Sequence, residues 1–389
     1  MSDVMITRAK RATQYIFLVC GLALSSWAPM VPLAKDRLQL NEAELGLLLL
    51  LLGGGALVTM PLSGFFISRA GTRKVILASV LLTAFLLPCL LVIANVYLMG
   101  IAVFAFGCGI GTIDVAMNSH GVQVQNAYKK PIMSSLHGLF SVGGLLGSIG
   151  LGFLIKAGLD PLFAAVAISA VLIALLAFQF RNLLNYTSEK EITRKFSHIN
   201  EDEAVTSRLQ WLNVSVLLLG VMCFIAFLSE GAVLDWSAIL LRDHKNVSAE
   251  FSGMGYAAFS VAMAVMRLAG DSLISKLNSK TVVVGGSLIA AVGIVILVFS
   301  PWIAGFLAGF ILLGIGAANI VPVFFSEGGR IKGLSPAVTI PVISTMGYAG
   351  QLAGPALLGF IAHHFSLNLA FEIIALLFVI VAVLYTFRK

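Results

Sequence analysis

The sequence predicts an all-α membrane protein with twelve transmembrane helices in two pseudo-symmetric six-helix bundles. The 389 residues are 59% hydrophobic and 11% charged, whereas soluble globular domains carry about 25% charged residues. Apolar runs of ~20 residues recur along the chain, which is the length that crosses a bilayer as a helix. The second half also repeats the first at a constant offset of 207 positions.

Glycines and polar residues carry this repeat. The aligned pairs are Gly46 with Gly253, Gly107 with Gly314, Gly109 with Gly316, Ser119 with Ser326, Gly121 with Gly328, Gly143 with Gly350 and Gly147 with Gly354. Duplicated halves that face each other in a membrane are typical of carriers that alternate access to a site between them. We find none of the 20–50-residue sequence repeats that indicate solenoids or propellers.

Charged and helix-breaking residues divide the apolar runs into the twelve predicted helices. These cover residues 14–34, 45–66, 76–94, 97–121, 132–156, 162–181, 211–235, 251–272, 281–299, 302–325, 337–362 and 367–387. We expect an N-terminal bundle over 1–181, a cytoplasmic linker over 182–210 and a C-terminal bundle over 211–389. The linker is the one long polar segment, and we expect a tether that is helical in part at most, with regulation as the alternative role.

The basic residues predict the orientation. Nineteen of the 25 Lys and Arg residues fall on one side of the predicted helices and five on the other, so we expect both termini in the cytoplasm. No small-residue cleavage site follows the first apolar run, and we expect a retained helix there. The net charge of +7 follows from these loops and requires no nucleic-acid partner, although lipid headgroups are expected near them.

The sequence offers little for enzymatic chemistry. The cysteines, which are Cys20, Cys89, Cys108 and Cys223, lie in apolar runs without metal-ligand spacing and are expected in the core. There is no phosphate-binding Gly-x-x-x-x-Gly-Lys-Ser/Thr loop and no nucleophile with a base. We therefore expect that the protein is not an enzyme and binds no metal or cofactor. We also expect a monomer that uses a proton gradient as its energy source.

The loop between predicted helices two and three reads Gly64-Phe65-Phe66-Ile67-Ser68-Arg69-Ala70-Gly71-Thr72-Arg73-Lys74. It resembles the hallmark loop of the major facilitator superfamily, in which glycines permit a tight turn and cations pair with acidic groups when the cytoplasmic gate closes. The resemblance implies gating roles for Arg69 and Arg73. Ser68 replaces the usual acidic residue, and the second copy has Asn278 at the left-handed glycine position.

Three further stretches narrow the resemblance. They are Gly111 to Asn118 in predicted helix four, Glu230 to Ser237 in helix seven, and Gly255 to Asp271 in helix eight. Together they are similar to a bacterial inner-membrane branch related to the fucose permeases. The resemblance implies a transporter in the inner membrane. Superfamily exporters often carry Gly-Pro in helix five, where this chain has Gly147-Ser148, and this difference favours an importer.

Asp114 is the first candidate for the transport site. An ionisable residue at membrane depth costs ~2.5–3.5 kcal/mol, so it is a functional candidate by default. Asp114 lies ~24 Å into predicted helix four, with Asn118 one turn further on the same face. We expect it to couple protons or bind solute, and His137 at similar depth in helix five to share this role. The alternatives are a structural Asp and a His at a helix end.

Other buried charges occur in the second half. Arg267 and Asp271 stand four residues apart in predicted helix eight and are expected to form a gating ion pair; alternatively, the planar fork of Arg267 binds an anionic solute. Glu327 is another possible partner for Arg267. Glu230 in helix seven is a candidate for binding solute or a proton.

Uncharged polar groups complete the predicted binding site. They are Trp27, Asn319, Tyr348 and Gln351, because amides and an aromatic platform commonly bind hydroxylated solutes. The same groups also form hydrogen bonds between helices. Glycines at four-residue spacing in helices five and eleven predict close helix contacts there.

The sequence therefore predicts a proton-coupled secondary transporter that imports a small polar organic solute resembling a sugar or an organic acid. The first alternative is a drug or metabolite exporter that works as a proton antiporter. A membrane enzyme, a lipid scramblase and a solute sensor that no longer transports are the others.

Overall fold

The computed structural model describes residues 2–197, 212–245 and 253–388. Within these ranges the chain forms helices α1 (Asp3–Ser26), α2 (Val31–Leu38), α3 (Glu42–Ala70), α4 (Thr72–Val92), α5 (Val96–Tyr128), α6 (Met133–Lys156), α7 (Pro161–Phe180), α8 (Tyr186–Ser197), α9 (Val214–Lys245), α10 (Met254–Phe299), α11 (Ile303–Ala317), α12 (Ile320–Gly328), α13 (Pro336–His364) and α14 (Leu367–Phe387). The predicted starts of helices seven and eight and linker residues 198–210 lie outside the described residues.

The helices confirm the predicted membrane fold. By length and composition, 10 segments of the described chain can cross a membrane. One of them, α10, consists of two helices joined at Asn278, where the backbone is not helical. Helix α13 is long enough to cross, but its Gly, Pro, Ser and Gln residues reduce its hydropathy. With α10 counted as two and α13 included, the twelve predicted spans are present.

Several helices begin at a polar capping residue. Asn41 and Glu44 form a reciprocal capping box at the start of α3, with hydrogen bonds of 2.9 and 3.0 Å. Asn95, Asp160 and Ser366 accept backbone N–H groups at the starts of α5, α7 and α14. These side chains satisfy N–H groups that have no partner inside the helix, which explains why the chain breaks at these loops.

Some predicted helix bounds were wrong. The first helix begins at Asp3 because Ser2 caps it, and the fourth continues to Tyr128. The predicted tenth helix is interrupted at Ala318 and Asn319 between α11 and α12. Asn319 therefore lies at a helix break rather than inside a helix, and this position determines its contacts.

Helix packing repeats at the offset found in the sequence. A Cβ atom on Gly107 in α5 would lie 2.0 Å from the carbonyl oxygen of Leu52 in α3. A Cβ atom on Gly314 in α11 would lie 2.4 Å from that of Phe259 in α10. Both residues of the second contact stand 207 positions after those of the first, so the duplication is present in the packing as well as in the sequence.

The glycines of predicted helices five and eleven also lie against neighbouring backbones. A Cβ atom on Gly143 in α6 would lie 2.2 Å from the carbonyl oxygen of Leu18 in α1. A Cβ atom on Gly350 in α13 would lie 2.2 Å from that of Phe224 in α9. Any side chain at these positions would separate the helices, which confirms the predicted close approach.

The contacts divide the chain into two compact units. The first unit contains 1–129, 139–211 and 329–342, and the second contains 130–138, 212–328 and 343–389. Each unit thus includes a short segment from the other half of the sequence, namely the residues around the start of α13 in the first and of α6 in the second.

The described part of the predicted linker is helix α8, which belongs to the first unit. Asn185 caps it by accepting the Ser188 amide at 2.9 Å. Ser188, Glu189 and Ile192 are buried on one side of the helix, while Lys190 and Lys195 are exposed. The described part of the linker is therefore a helix packed on the first unit, and the predicted role of the whole linker as a tether stays a prediction.

Candidate substrate and gating site

A largely buried ion pair lies in the second unit between α9 and α10. Arg267 is 7% exposed, and its Nη2 atom donates a hydrogen bond of 2.8 Å to Oε1 of Glu230. Its Nε atom donates a hydrogen bond of 3.2 Å to the carbonyl oxygen of Ala318. Two charges removed from water are tolerated when they are paired and further hydrogen-bonded, and both conditions hold here.

The sequence explains why the carbonyl of Ala318 can accept this bond. In an unbroken helix the oxygen of Ala318 would accept the amide of residue 322. That residue is Pro322, which has no N–H group. The helix break between α11 and α12 thus leaves a backbone acceptor for Arg267.

Asn319 follows directly in the same break. Its Nδ2 atom donates to the carbonyl of Met266 at 3.2 Å, whereas its buried Oδ1 atom has no hydrogen-bond partner among the described residues. Asn319 can pack this closely against α10 because residue 270 is a glycine: a Cβ atom there would lie 1.9 Å from Oδ1 of Asn319. Buried polar atoms are normally hydrogen-bonded, so this oxygen is an unsatisfied acceptor beside the ion pair.

His137 and Asp271 border the same cluster. The ring of His137 stacks on Phe325 with centroids 5.6 Å apart and is affected electrostatically by Arg267. Asp271 accepts the backbone amides of Ser134 and Ser135 at 3.0 and 3.2 Å. Its carboxylate therefore caps the first turn of α6, where negative charge is favourable. The predicted gating pair of Arg267 and Asp271 stays a prediction.

Tyr348 and Gln351 lie on α13 beside α9 in the second unit. The ring of Tyr348 packs against Phe227 with centroids 6.0 Å apart. A Cβ atom on Gly231, the residue after Glu230, would lie 2.8 Å from the backbone oxygen of Gln351. The structure therefore brings α13 close to the Glu230 end of the ion pair.

Asp114 and Asn118 form a polar pair in the first unit. Both are buried, and Nδ2 of Asn118 donates to the carbonyl oxygen of Asp114 at 2.9 Å and to Oδ1 at 3.3 Å. The expected shared helix face is confirmed. Trp27, also in this unit, is buried with an indole N–H that has no partner among the described residues. The pairing of Asp114 with His137 stays a prediction.

The arginines on either side of the turn between α3 and α4, for which gating roles are predicted, contact aromatic rings. The guanidinium carbon of Arg69 lies 4.0 Å from the ring centroid of Phe65, and that of Arg73 lies 4.2 Å from the ring centroid of Phe180. Such cation–π contacts stabilise each pair modestly. Gly71 has φ of 80°, so the predicted tight turn is confirmed.

Glu327 at the end of α12 forms a separate group in the second unit. It accepts hydrogen bonds from the hydroxyl of Tyr385 and from the guanidinium of Arg388. These contacts secure the end of α14, and the alternative of Glu327 as a partner of Arg267 stays a prediction.

Two clusters in the first unit were not predicted. In one, Nε of Arg330 donates to Oδ1 of Asn126 at 2.8 Å, and burial lowers the pKa of Arg330. In the other, Glu189 of α8 contacts Thr72, whose hydroxyl also contacts His120. The sequence contained one indication of the second cluster: its member His120 aligns with the charged residue Glu327 at the offset of 207.

No group of three or more His, Cys, Asp or Glu side chains within 2–197, 212–245 and 253–388 is arranged to bind a metal ion. The candidate site consists of an ion pair, amides and aromatic rings. Such groups bind and orient polar solutes and exchange protons.

Comparison with known proteins identifies the family. The family model of the Major Facilitator Superfamily matches residues 15–328. The chain belongs to this superfamily. Over 371 residues it is 40% identical to an uncharacterized MFS-type transporter of Yersinia pestis, covering 95% of this chain and 93% of that protein. It is 31% identical to the membrane protein MosC of Rhizobium meliloti, with 95% and 88% covered.

Solved structures of superfamily members have the same fold. FucP in the outward conformation matches with a TM-score of 0.74 at 16% identity, over 98% of both chains. The proton:xylose symporter XylE matches with a TM-score of 0.73 at 15% identity, over 100% of this chain and 97% of XylE. This chain is therefore a multi-pass membrane transporter of the superfamily.

Proposed function

We propose that this superfamily transporter is a proton-coupled symporter that imports a small polar organic solute, either a sugar or an organic acid. The observation that carries the proposal is the largely buried pair of Glu230 and Arg267 next to the unsatisfied acceptor oxygen of Asn319. This arrangement combines an ionisable group, a planar cationic donor and an amide oxygen within one cluster.

The pair offers a physical means of coupling. A proton taken up by Glu230 would cancel its negative charge and free the guanidinium of Arg267 to bind an oxygen-rich solute. The oxygen of Asn319 would accept a hydroxyl of the same solute. One proton moving through 100 mV releases ~2.3 kcal/mol, which supports a concentration ratio of about fifty.

Asp114 and Asn118 are proposed as a second polar contact for solute or proton. The amide of Asn118 donates to the carboxylate of Asp114 as well as to its backbone carbonyl, which orients the carboxylate. Asp114→Asn retains the shape of the side chain and removes the ionisable group. We expect it to abolish proton-driven accumulation while some solute exchange remains; accumulation equal to wild type would remove Asp114 from coupling.

The proposal is tested with purified protein in liposomes that contain a pH-sensitive dye. A thermal-shift screen against sugars and organic acids first selects solutes, because a ligand of the folded state raises its unfolding temperature. Addition of a selected solute is expected to drive protons into the lumen. Solute uptake without proton movement would contradict symport, and proton release from the lumen would indicate an antiporter.

Arg267→Gln separates the two proposed roles of the arginine. If the guanidinium binds an anionic solute, the variant loses transport of organic acids but retains transport of neutral sugars. If it acts in a gate, transport of both classes falls. Arg267→Lys retains the charge without the planar fork and serves as the matched comparison.

The proposed location is the bacterial inner membrane, with both termini in the cytoplasm and the chain as a monomer. The charge asymmetry of the loops supports this orientation, and the relatives described above are bacterial proteins. Fusions of a cytoplasm-specific fluorescent reporter to each terminus are expected to fluoresce. A dark reporter at either terminus would contradict the orientation.

A further inference from the structure

We propose that Glu189 is a positioning residue through which helix α8 clamps the loop between α3 and α4 and holds Arg69 and Arg73 in place. This inference concerns a linker residue outside the candidate transport site. It does not depend on the identity of the solute or on proton coupling.

Glu189 provides the cap that α4 lacks. The N-cap of α4 is Gly71, which makes no side-chain hydrogen bond to the helix. The carboxylate of Glu189 accepts the backbone amide of Thr72, the first residue of α4, at 3.0 Å and also accepts the hydroxyl of Thr72. A negative charge at a helix N-terminus satisfies free N–H groups and the helix dipole.

Burial makes this contact costly to break. Glu189 is 4% exposed, and a buried carboxylate that loses its hydrogen bonds bears an unfavourable desolvation free energy. A Cβ atom on Gly71 would lie 3.1 Å from Oε2 of Glu189. The absent side chain at Gly71 therefore leaves room for the carboxylate.

His120 extends the network into α5. Its Nδ1 atom lies 2.7 Å from the hydroxyl of Thr72, and its Nε2 atom accepts the amide of Leu184 at 3.5 Å. Because the Thr72 hydroxyl donates to Glu189, its oxygen must accept from Nδ1–H of His120. One ring tautomer satisfies both contacts, as assigned from the hydrogen-bond pattern.

A second contact completes the clamp. The hydroxyl of Tyr186, at the start of α8, donates to the carbonyl of Ser68 at 2.7 Å. Ser68 precedes Arg69, and Thr72 precedes Arg73. Helix α8 therefore attaches to the end of α3 at Ser68 and to the start of α4 at Thr72, directly before each of the two cations, through Tyr186 and Glu189.

Hydrogen exchange tests the clamp in the full-length protein. Glu189→Ala is expected to speed amide exchange in α8 and in the first turn of α4 by roughly fivefold to tenfold, as expected for loss of a cap. Trypsin is expected to cleave after Arg69 and Arg73 in the variant more readily than in wild type. Glu189→Gln retains an acceptor oxygen and is expected to lie between the two.

Glu191→Ala is the matched control. Glu191 lies two residues away on the exposed side of α8, where its hydrogen bond to Lys195 and that lysine's charge lower its pKa. The Glu191→Ala variant is expected to leave amide exchange around the α3–α4 turn unchanged, as well as trypsin cleavage after Arg69 and Arg73. Equal effects of the two alanine variants, or no effect of Glu189→Ala, would overturn the proposal.

Thr72→Val separates positioning from a general loss of stability. It removes the hydroxyl that joins Glu189 to His120 but retains the backbone amide. If the network acts as a unit, Glu189→Ala has a smaller effect in the Thr72→Val background. Faster exchange throughout the first unit, without a specific change in the loop and α8, would show a structural role alone and contradict the clamp. If Glu189→Ala does not fold, Glu189→Gln takes its place in this comparison.

Discussion

The turn between α3 and α4 and the turn within α10 are copies of one another that reach the same backbone conformation by different means. Gly71 has φ and ψ of 80° and 158°, and Asn278 has 68° and 162°. Gly71 adopts this conformation without a Cβ atom but has no side chain to cap α4, and Glu189 supplies the cap. Asn278 bears the steric cost and caps its own helix by accepting the Thr281 amide at 2.9 Å.

The comparison shows that the two copies retained a backbone conformation while the source of the cap changed. The aligned residues His120 and Glu327 likewise occupy equivalent positions but have different partners. His120 lies in a network with Glu189, which follows α7, and Glu327 pairs with Arg388, which follows α14. In each unit a polar group at this position contacts the segment after the last helix of its half, through an imidazole in the first unit and a carboxylate in the second.

Gly71→Ala is expected to have the largest effect on this comparison. It places a Cβ atom in a backbone region that costs about 1–3 kcal/mol for other residues and 3.2 Å from Cβ of Tyr186. We expect the free energy of unfolding to fall by ~2–3 kcal/mol, measured by denaturant titration in detergent. Gly158→Ala is the control, because Gly158 has φ of 93° and no neighbour within 4 Å. Equal losses at both positions would contradict the role of crowding by α8.

Asn278 variants separate the steric cost from the cap. Asn278→Gly relieves about 1–3 kcal/mol of strain in a positive-φ backbone region that favours glycine, while replacing Asn by Gly at a cap costs a few tenths. We expect a stabilisation of ~1 kcal/mol. Asn278→Ala keeps the strain and loses the cap, so we expect a destabilisation of ~1 kcal/mol. Changes of the same sign in the two variants, measured by the same titration, would contradict the assignment.

Gly71→Asn gives the first copy the residue that the second copy has at the aligned position, Asn278. The new side chain could cap α4 as Asn278 caps its helix, so removal of Glu189 should matter less. We expect a coupling free energy of about 0.5–1 kcal/mol between Gly71→Asn and Glu189→Ala in a double-mutant cycle. Additive effects would show that the two caps do not replace each other.

Arg388→Ala tests the corresponding pair of the second copy and is expected to have the smallest effect. The side chains of Arg388 and Glu327 are partly accessible to solvent, and such pairs contribute about 0.2–1 kcal/mol. We expect a loss of ~0.5 kcal/mol in the same titration, with faster exchange confined to the end of α14. A loss as large as that of Gly71→Ala would contradict this estimate.

Much of the fold followed from local sequence features. The apolar runs predicted the twelve helices, and the constant offset predicted the duplication. Gly143 and Gly350 predicted close helix contacts. The positive φ of Gly71 and Asn278 also followed, since few other residues adopt it at low cost. These features depend on neighbouring residues or on a pattern that the sequence repeats.

The side-chain partners depend on long-range packing and could not be predicted. Arg267 pairs with Glu230, which lies 37 positions away and was not named as its partner from the sequence. Glu189 and Thr72 are 117 positions apart. Pro322 did indicate in the sequence that the carbonyl of Ala318 lacks its helical partner, because proline has no amide N–H to donate to it.

The most direct test of the central claim compares proton-driven accumulation with solute exchange in Glu230→Gln. The variant retains side-chain size and removes the proton site, and Asp235→Asn on the same helix, at an exposed position, is the control. We predict that Glu230→Gln exchanges solute across liposomes but no longer accumulates it against a gradient, while Asp235→Asn behaves as wild type. Accumulation by Glu230→Gln equal to that of wild type would contradict the claim that this ion pair couples protons to transport.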